Sequence, residues 1–165
     1  MSVDRSAYMI IPRKYFVVKG KGLSKISELM AFNNALRNAG IHNVNLVPVS
    51  SILPPGIEEE PPHPLPPGSV VFVVMSERRL KGPAKISTGL SWAHGKPHGY
   101  VIEFHTGDSN SYTHARLEEM WEEIRLERNL VIERPRYLTE ELEVPEGFYG
   151  SVVVALVFSE IDFLK

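Results

Sequence analysis

A chain of 165 residues that is 43% hydrophobic and 23% charged has the length and composition of one globular domain with a sizeable core. Its formal net charge of -2, with lysines and arginines scattered rather than blocked, supplies no basic field for a phosphate backbone, so nucleic acid is not an expected partner. The absence of cysteine excludes disulfides, thiolate metal sites and a cysteine nucleophile.

Met1 to Tyr15 lacks the apolar core of a signal peptide, and the longest apolar runs are far too short to cross a bilayer, so no membrane partner is expected and a cytoplasmic location is the default. Tyr15 to Val18 reads as a strand that Gly20 and Gly22 break. A helix is predicted from about Ser24 to Ala39, stopped by Gly40, with Ile26, Leu29, Met30 and Leu36 on one stripe that also carries Asn33 and Arg37. Val44 to Val49 reads as a strand, followed by a surface excursion, Leu53 to Pro67, that holds seven of the 13 prolines and cannot enter a sheet interior. Ser69 to Met75 has the continuous apolar character of a strand buried on both faces. Ile86 to Trp92 and Tyr100 to His105 form a predicted hairpin across the turn-rich HGKPHG. Ser109 or Ser111 is placed to cap a second helix that buries Leu117, Met120, Trp121 and Ile124. A polar stretch after Pro135 leads to a last strand, Val152 to Phe158. Two helices among five or six strands, without strict alternation, give an α+β fold with helices packed on sheet.

The strand Val44 to Val49 ends in two serines, Ser50 and Ser51, just before Pro54 and Pro55. Such a pair commonly marks a strand leaving the core, but it also permits backbone chemistry. In a strained peptide, Ser51 Oγ can attack the carbonyl carbon of Ser50 and form an ester by N-to-O acyl shift. β-Elimination then releases the chain ending at Ser50. The dehydroalanine left at position 51 becomes a pyruvoyl group after tautomerisation and loss of ammonia. Such a carbonyl forms a Schiff base with an amine and acts as an electron sink, as pyridoxal phosphate does elsewhere.

The run FNNALRNAGIHNVNLVPVSSILPPG, Phe32 to Gly56, resembles the processing region of the pyruvoyl-dependent arginine decarboxylases, and GYVIEFHTG, Gly99 to Gly107, and the apolar last strand follow in the same order. The resemblance is specific over the first run and loose over the rest of the chain. It implies a four-layer αββα sandwich assembled as a trimer or as two stacked trimers, with sites between subunits. It further implies cleavage between Ser50 and Ser51 into a β chain, 1 to 50, and an α chain, 51 to 165, headed by a pyruvoyl group made from Ser51. On this reading the cofactor is that covalent group, with no pyridoxal phosphate and no metal. Asn45 matches the family asparagine that aids processing, here by donating to oxyanion character at the Ser50 carbonyl; otherwise it is a turn asparagine. Glu103 matches the catalytic glutamate, a neutral acid that returns a proton after carbon dioxide leaves; otherwise it is an outward strand glutamate in an ion pair. The implied reaction is arginine to agmatine, which points towards polyamine synthesis.

One position departs from the family pattern. Where the family carries its guanidinium-binding aspartate, in FDGALLNAG, this chain has Asn33, and a neutral amide cannot form the charge-assisted bidentate pair. Leu36 and Arg37 on the same stripe complete the expected substrate-binding set. If Arg37 reaches the pocket it suits an acidic amino acid, and if it snorkels to solvent it does not matter to substrate choice. Glu28 is a further carboxylate on the same helix. A decarboxylase for a different amino acid, or an uncleaved binding or assembly subunit, are the rival readings. His94, His98 and His105 invite a metal, but no pair has the spacing of a helical site and none is expected.

Overall fold

The computed structural model describes residues 9–127 and 129–163. The fold class is α+β, with two helices and three sheets among the described residues. The largest sheet is built on two long antiparallel strands, β1 (Ile10–Ser24) and β11 (Tyr149–Phe163), paired from Ile10 opposite Phe163 to Ser24 opposite Tyr149 with an irregularity between Pro12 and Tyr15. β1 is far longer than Tyr15 to Val18, because Gly20 and Gly22 continue the strand rather than break it. Helix α1 (Glu28–Ala39) lies so close that a Cβ on Gly20 would overlap the Ala35 carbonyl oxygen, and one on Gly22 would overlap the backbone of Ala31 and Ala35. Glycine here permits close backbone approach.

The same contact decides which face of α1 is buried. Ala31, Ala35 and Ala39, spaced four apart, face the sheet, with Leu36 and Phe32 the partly buried hydrophobic residues of the helix beside them. The predicted stripe is therefore displaced: Ile26 and Leu29 are 78% and 65% exposed, and Met30 is exposed too. Bulky side chains would hold the helix off the glycines. The helix starts later than expected, with Ser27 as the cap accepting from Met30 N at 3.1 Å, and Ser24 Oγ instead takes Ile26 N at 3.0 Å. Gly40 ends it in the left-handed region at φ 81°, as expected. Gly20→Ala is expected to destabilise the chain by about 1–3 kcal/mol through overpacking, read as a lower urea midpoint with an unchanged slope.

On the far side of β11 lies β5 (Val70–Lys81), and β2 (Asn45–Pro48) runs parallel to β5 at the sheet edge, Asn45 opposite Val70. The other edge is β4 (Glu58–Glu59), inside the proline-rich excursion and parallel to β1. The second sheet has the order β10 (Arg136–Val144), β6 (Ala84–Ala93), β8 (Gly99–Gly107), β3 (Ile52–Leu53), and the predicted hairpin is β6 with β8. β7 (Gly95–Lys96) and β9 (Val131–Ile132) make a small third sheet across the hairpin turn.

β10 is the polar stretch after Pro135, which is strand and not loop. It tolerates its glutamates because it is an edge, half-buried along most of its length. Tyr15, Val154 and Leu156 of the first sheet pack with Leu90, Val101 and Leu53 of the second in one buried cluster. Helix α2 (Asn110–Ile124), capped by Ser109 as expected, seats Leu117 and Trp121 against Ala93 and Ile102. Neither helix is long and apolar enough to cross a membrane.

Candidate active site

The serine pair sits where the chain passes from one sheet to the other. β2 belongs to the five-stranded sheet and β3 to the four-stranded sheet, and only Val49, Ser50 and Ser51 lie between them. Both sides of the crossing are fixed by backbone hydrogen bonds: Val49 N donates to Val73 O at 2.8 Å in the first sheet, and Val101 N donates to Ser51 O at 2.8 Å in the second. The chain bends at Ser51, which is half-buried, whereas Ser50 is exposed. An apolar cavity of about 240 Å³ lies against Ser50, walled by Val49, Ile52, Phe72, Phe158 and Ile161.

The segment after the crossing is held independently. Leu53 and Ile57 are buried, β4 pairs with β1, and Glu60 N donates to Tyr15 O at 2.8 Å. Glu59 is paired with Arg136 of β10, whose guanidinium lies over the Trp92 ring at 5.1 Å. Beneath it Tyr15 Oη lies 2.8 Å from His94 Nε2, and burial raises the Tyr15 pKa, with Arg136 working against the shift. These groups join both sheets to the residues that follow the serines. None was foreseeable as a set, because they meet only through the fold.

Glu103 lies on β8 two residues beyond Val101. Ile102 and Phe104 pack towards α2, so strand alternation turns Glu103 to the face of Val101, which is packed between the sheets. Opposite it on β6 is the buried Leu90. The side chain is exposed in the single chain, yet desolvation by the surrounding protein raises its pKa, while the nearby His105 pulls the other way. β8 thus carries both a backbone donor to Ser51 and a carboxyl shifted towards its neutral form.

The remaining expected residues stand apart from the serines within one chain. Asn45, at the start of β2, donates from Nδ2 to Gly68 O at 2.9 Å. Five residues of extended chain separate it from Ser50, roughly 16 Å. Leu36 packs in the cluster between α1 and the sheet, and Asn33 is half-buried on α1. Arg37 is exposed and lines a groove with Asn34, Asn38 and Lys21. Among the described residues, none from α1 lines the cavity at Ser50. His94 is engaged with Tyr15, and His98 Nδ1 lies 3.0 Å from Gly99 O.

The structure thus tethers the serine pair on both sides and carries, on the adjoining strand, a carboxyl whose pKa is raised. The family model for pyruvoyl-dependent arginine decarboxylases matches residues 14–163. The chain belongs to that family. Its relatives include pyruvoyl-dependent arginine decarboxylase 2 of Archaeoglobus fulgidus, 34% identical over 90% of this chain and 98% of the relative. The pyruvoyl-dependent arginine decarboxylase of Methanopyrus kandleri is 32% identical over 91% and 99% respectively. A shorter match, to pyruvoyl-dependent arginine decarboxylase 1 of Methanosarcina acetivorans, is 44% identical and covers 62% of this chain and 66% of that one.

Proposed function

We propose that the chain cuts itself between Ser50 and Ser51 and then decarboxylates an amino acid, arginine to agmatine first among them. The observation that carries this reading is the sheet-to-sheet crossing, which holds the backbone at Val49 and at Ser51 and leaves the intervening peptide bent. Holding both flanks limits how far the peptide can relax, and so favours attack by Ser51 Oγ on the Ser50 carbonyl. The residues suit a pyruvoyl group at position 51: the half-buried Ser51 carbonyl already accepts a backbone donor, and Glu103 lies on the adjoining strand. That group supplies a ketone for the substrate amine and a sink for the electron pair freed with carbon dioxide. Glu103, its pKa raised by desolvation, is the donor of the proton that the product carbon receives.

The reading includes a four-layer αββα order and assembly with further copies of the chain, as a trimer or two trimers. It is supported by α1 packing on one sheet, α2 on the other and a shared core between the sheets. Val47, Val49 and Ile52 leave apolar surface exposed around the serine pair. A second copy placed there would exclude water from Glu103 and bring Asn45 or α1 of one protomer to the serines of another. Substrate contact by Asn33, Leu36 and Arg37, and processing aid by Asn45, are proposed in that assembled form.

Intact mass under denaturing conditions tests the reading directly. Chains matching 1 to 50 and 51 to 165, the second reducible by borohydride, are expected; a single uncut chain after prolonged incubation overturns the enzyme in favour of a binding subunit. Asn33 supports a second reading, the same chemistry on a different amino acid, since it offers no charge to a guanidinium. Turnover of arginine, ornithine, aspartate and glutamate side by side separates the two. If arginine is the substrate, Asn33→Asp is expected to lower its KM by about tenfold, the equivalent of one charge-assisted hydrogen bond.

A further inference from the structure

The hydrogen bond from Val101 N to Ser51 O has a role that the proposed cleavage leaves unassigned. The acyl shift attacks the Ser50 carbonyl and does not involve the Ser51 carbonyl at all. Elimination does. It begins with loss of the proton on Ser51 Cα, and the electron pair left there is conjugated with the Ser51 carbonyl, so negative charge develops on Ser51 O. A donor already in place at 2.8 Å from that atom meets the geometric condition for stabilising an oxyanion without reorganisation.

We propose that the backbone N–H of Val101 is the oxyanion donor for the elimination step of self-processing, and for the electron sink of the mature site. This rests on the proposed function. In the elimination, solvent hydroxide takes the Ser51 α-proton and becomes water. The electron pair, held partly on Ser51 O, then forms the Cα–Cβ double bond as the Cβ–Oγ bond breaks. Oγ leaves as part of the new carboxylate of Ser50. After maturation the same oxygen is the carbonyl conjugated to the ketone, so the same N–H faces charge arriving from substrate. β8 therefore contributes two groups to one face of the chemistry, a main-chain donor at Val101 and a carboxyl at Glu103. The placement needs the β3 to β8 pairing, Ile52 opposite Tyr100 and Leu53 opposite Gly99, which sets Ser51 opposite Val101.

The test removes the N–H alone. In the full chain, Val101 is replaced by its α-hydroxy analogue, which substitutes an ester oxygen for the amide N–H. A control chain carries the same replacement at Val49, whose N–H makes a backbone hydrogen bond of equal length on the other side of the serines. Both are followed at a temperature where circular dichroism shows them folded, with hydroxylamine quenching and intact mass. The expected result is that the Val101 chain forms the Ser50–Ser51 ester, detected as a fragment ending in the Ser50 hydroxamate, and eliminates about 10²-fold more slowly. The control loosens one flank of the crossing, so it should form the ester more slowly but eliminate it at the unsubstituted rate, without accumulating ester. Elimination at the unsubstituted rate in the Val101 chain overturns the inference, as does equal slowing in both chains, which marks a merely structural bond. A Val101 chain that never forms the ester while the control matures also overturns it, because the contact would then act before elimination. Failure of the unsubstituted chain to cut is a different result and removes the proposed function itself.

Discussion

Ser51→Ala is expected to remain a single chain of 165 residues and to release no carbon dioxide from any amino acid. Alanine has neither the oxygen that attacks the Ser50 carbonyl nor the bond that breaks in elimination, so both halves of the chemistry are lost together. The substitution removes one hydroxyl from a half-buried bend and should move stability by no more than about 0.5 kcal/mol, so an uncut product cannot be ascribed to unfolding. Ser50→Ala should behave differently, because position 50 contributes only its backbone carbonyl and exposes its side chain; cleavage is retained. Denaturing mass spectrometry reads both outcomes, and decarboxylation by Ser51→Ala would sink the mechanism.

The elements whose signals are local were legible in the sequence. Ser109 caps α2 and Leu117 and Trp121 are buried beneath it, because a cap and a helical stripe act within a few residues. Glu103 opposite Ile102 and Phe104 followed from strand alternation. Signals that depend on a distant neighbour were misread. Gly20 and Gly22 look like breakers until α1 is laid across them, and the same close approach turns Ala31, Ala35 and Ala39 inward while Ile26 and Leu29 face out. β10 reads as a polar loop until β6 pairs with it and leaves its other side at an edge.

At the site the division is the same. The serine pair and Glu103 are visible as residue types in a pattern. The donor at Val101 is a main-chain N–H and has no sequence signature. Arg136 over Trp92 and against Glu59 joins three segments that only the tertiary structure brings together. Asn33 and Arg37 can be named from sequence, yet they stand on a helix that does not line the cavity at Ser50.

Glu103→Gln should cut normally and then lose decarboxylation by about 10²–10⁴-fold, the usual worth of a positioned general acid. The proposed processing does not use the Glu103 side chain, so the two 1 to 50 and 51 to 165 products should still form; the amide then has no proton to deliver. The pH profile carries the sign of the argument. Desolvation raises the Glu103 pKa despite His105, so the neutral acid persists above the usual carboxylate range, and activity should be highest below the raised pKa and fall as pH rises through it. Stability follows the same window. Between the ordinary and the raised pKa the unfolded chain has released its proton while the folded chain still holds one, so stability declines as pH rises there, and above it the charged carboxyl remains a cost. Glu103→Gln removes that cost, and at neutral pH its urea midpoint should equal or exceed that of the parent chain. Activity loss with undiminished stability is what separates an acid from a structural carboxylate. A variant that decarboxylates at the parental rate, or one whose loss is matched by a lower midpoint, would return Glu103 to an ordinary strand position.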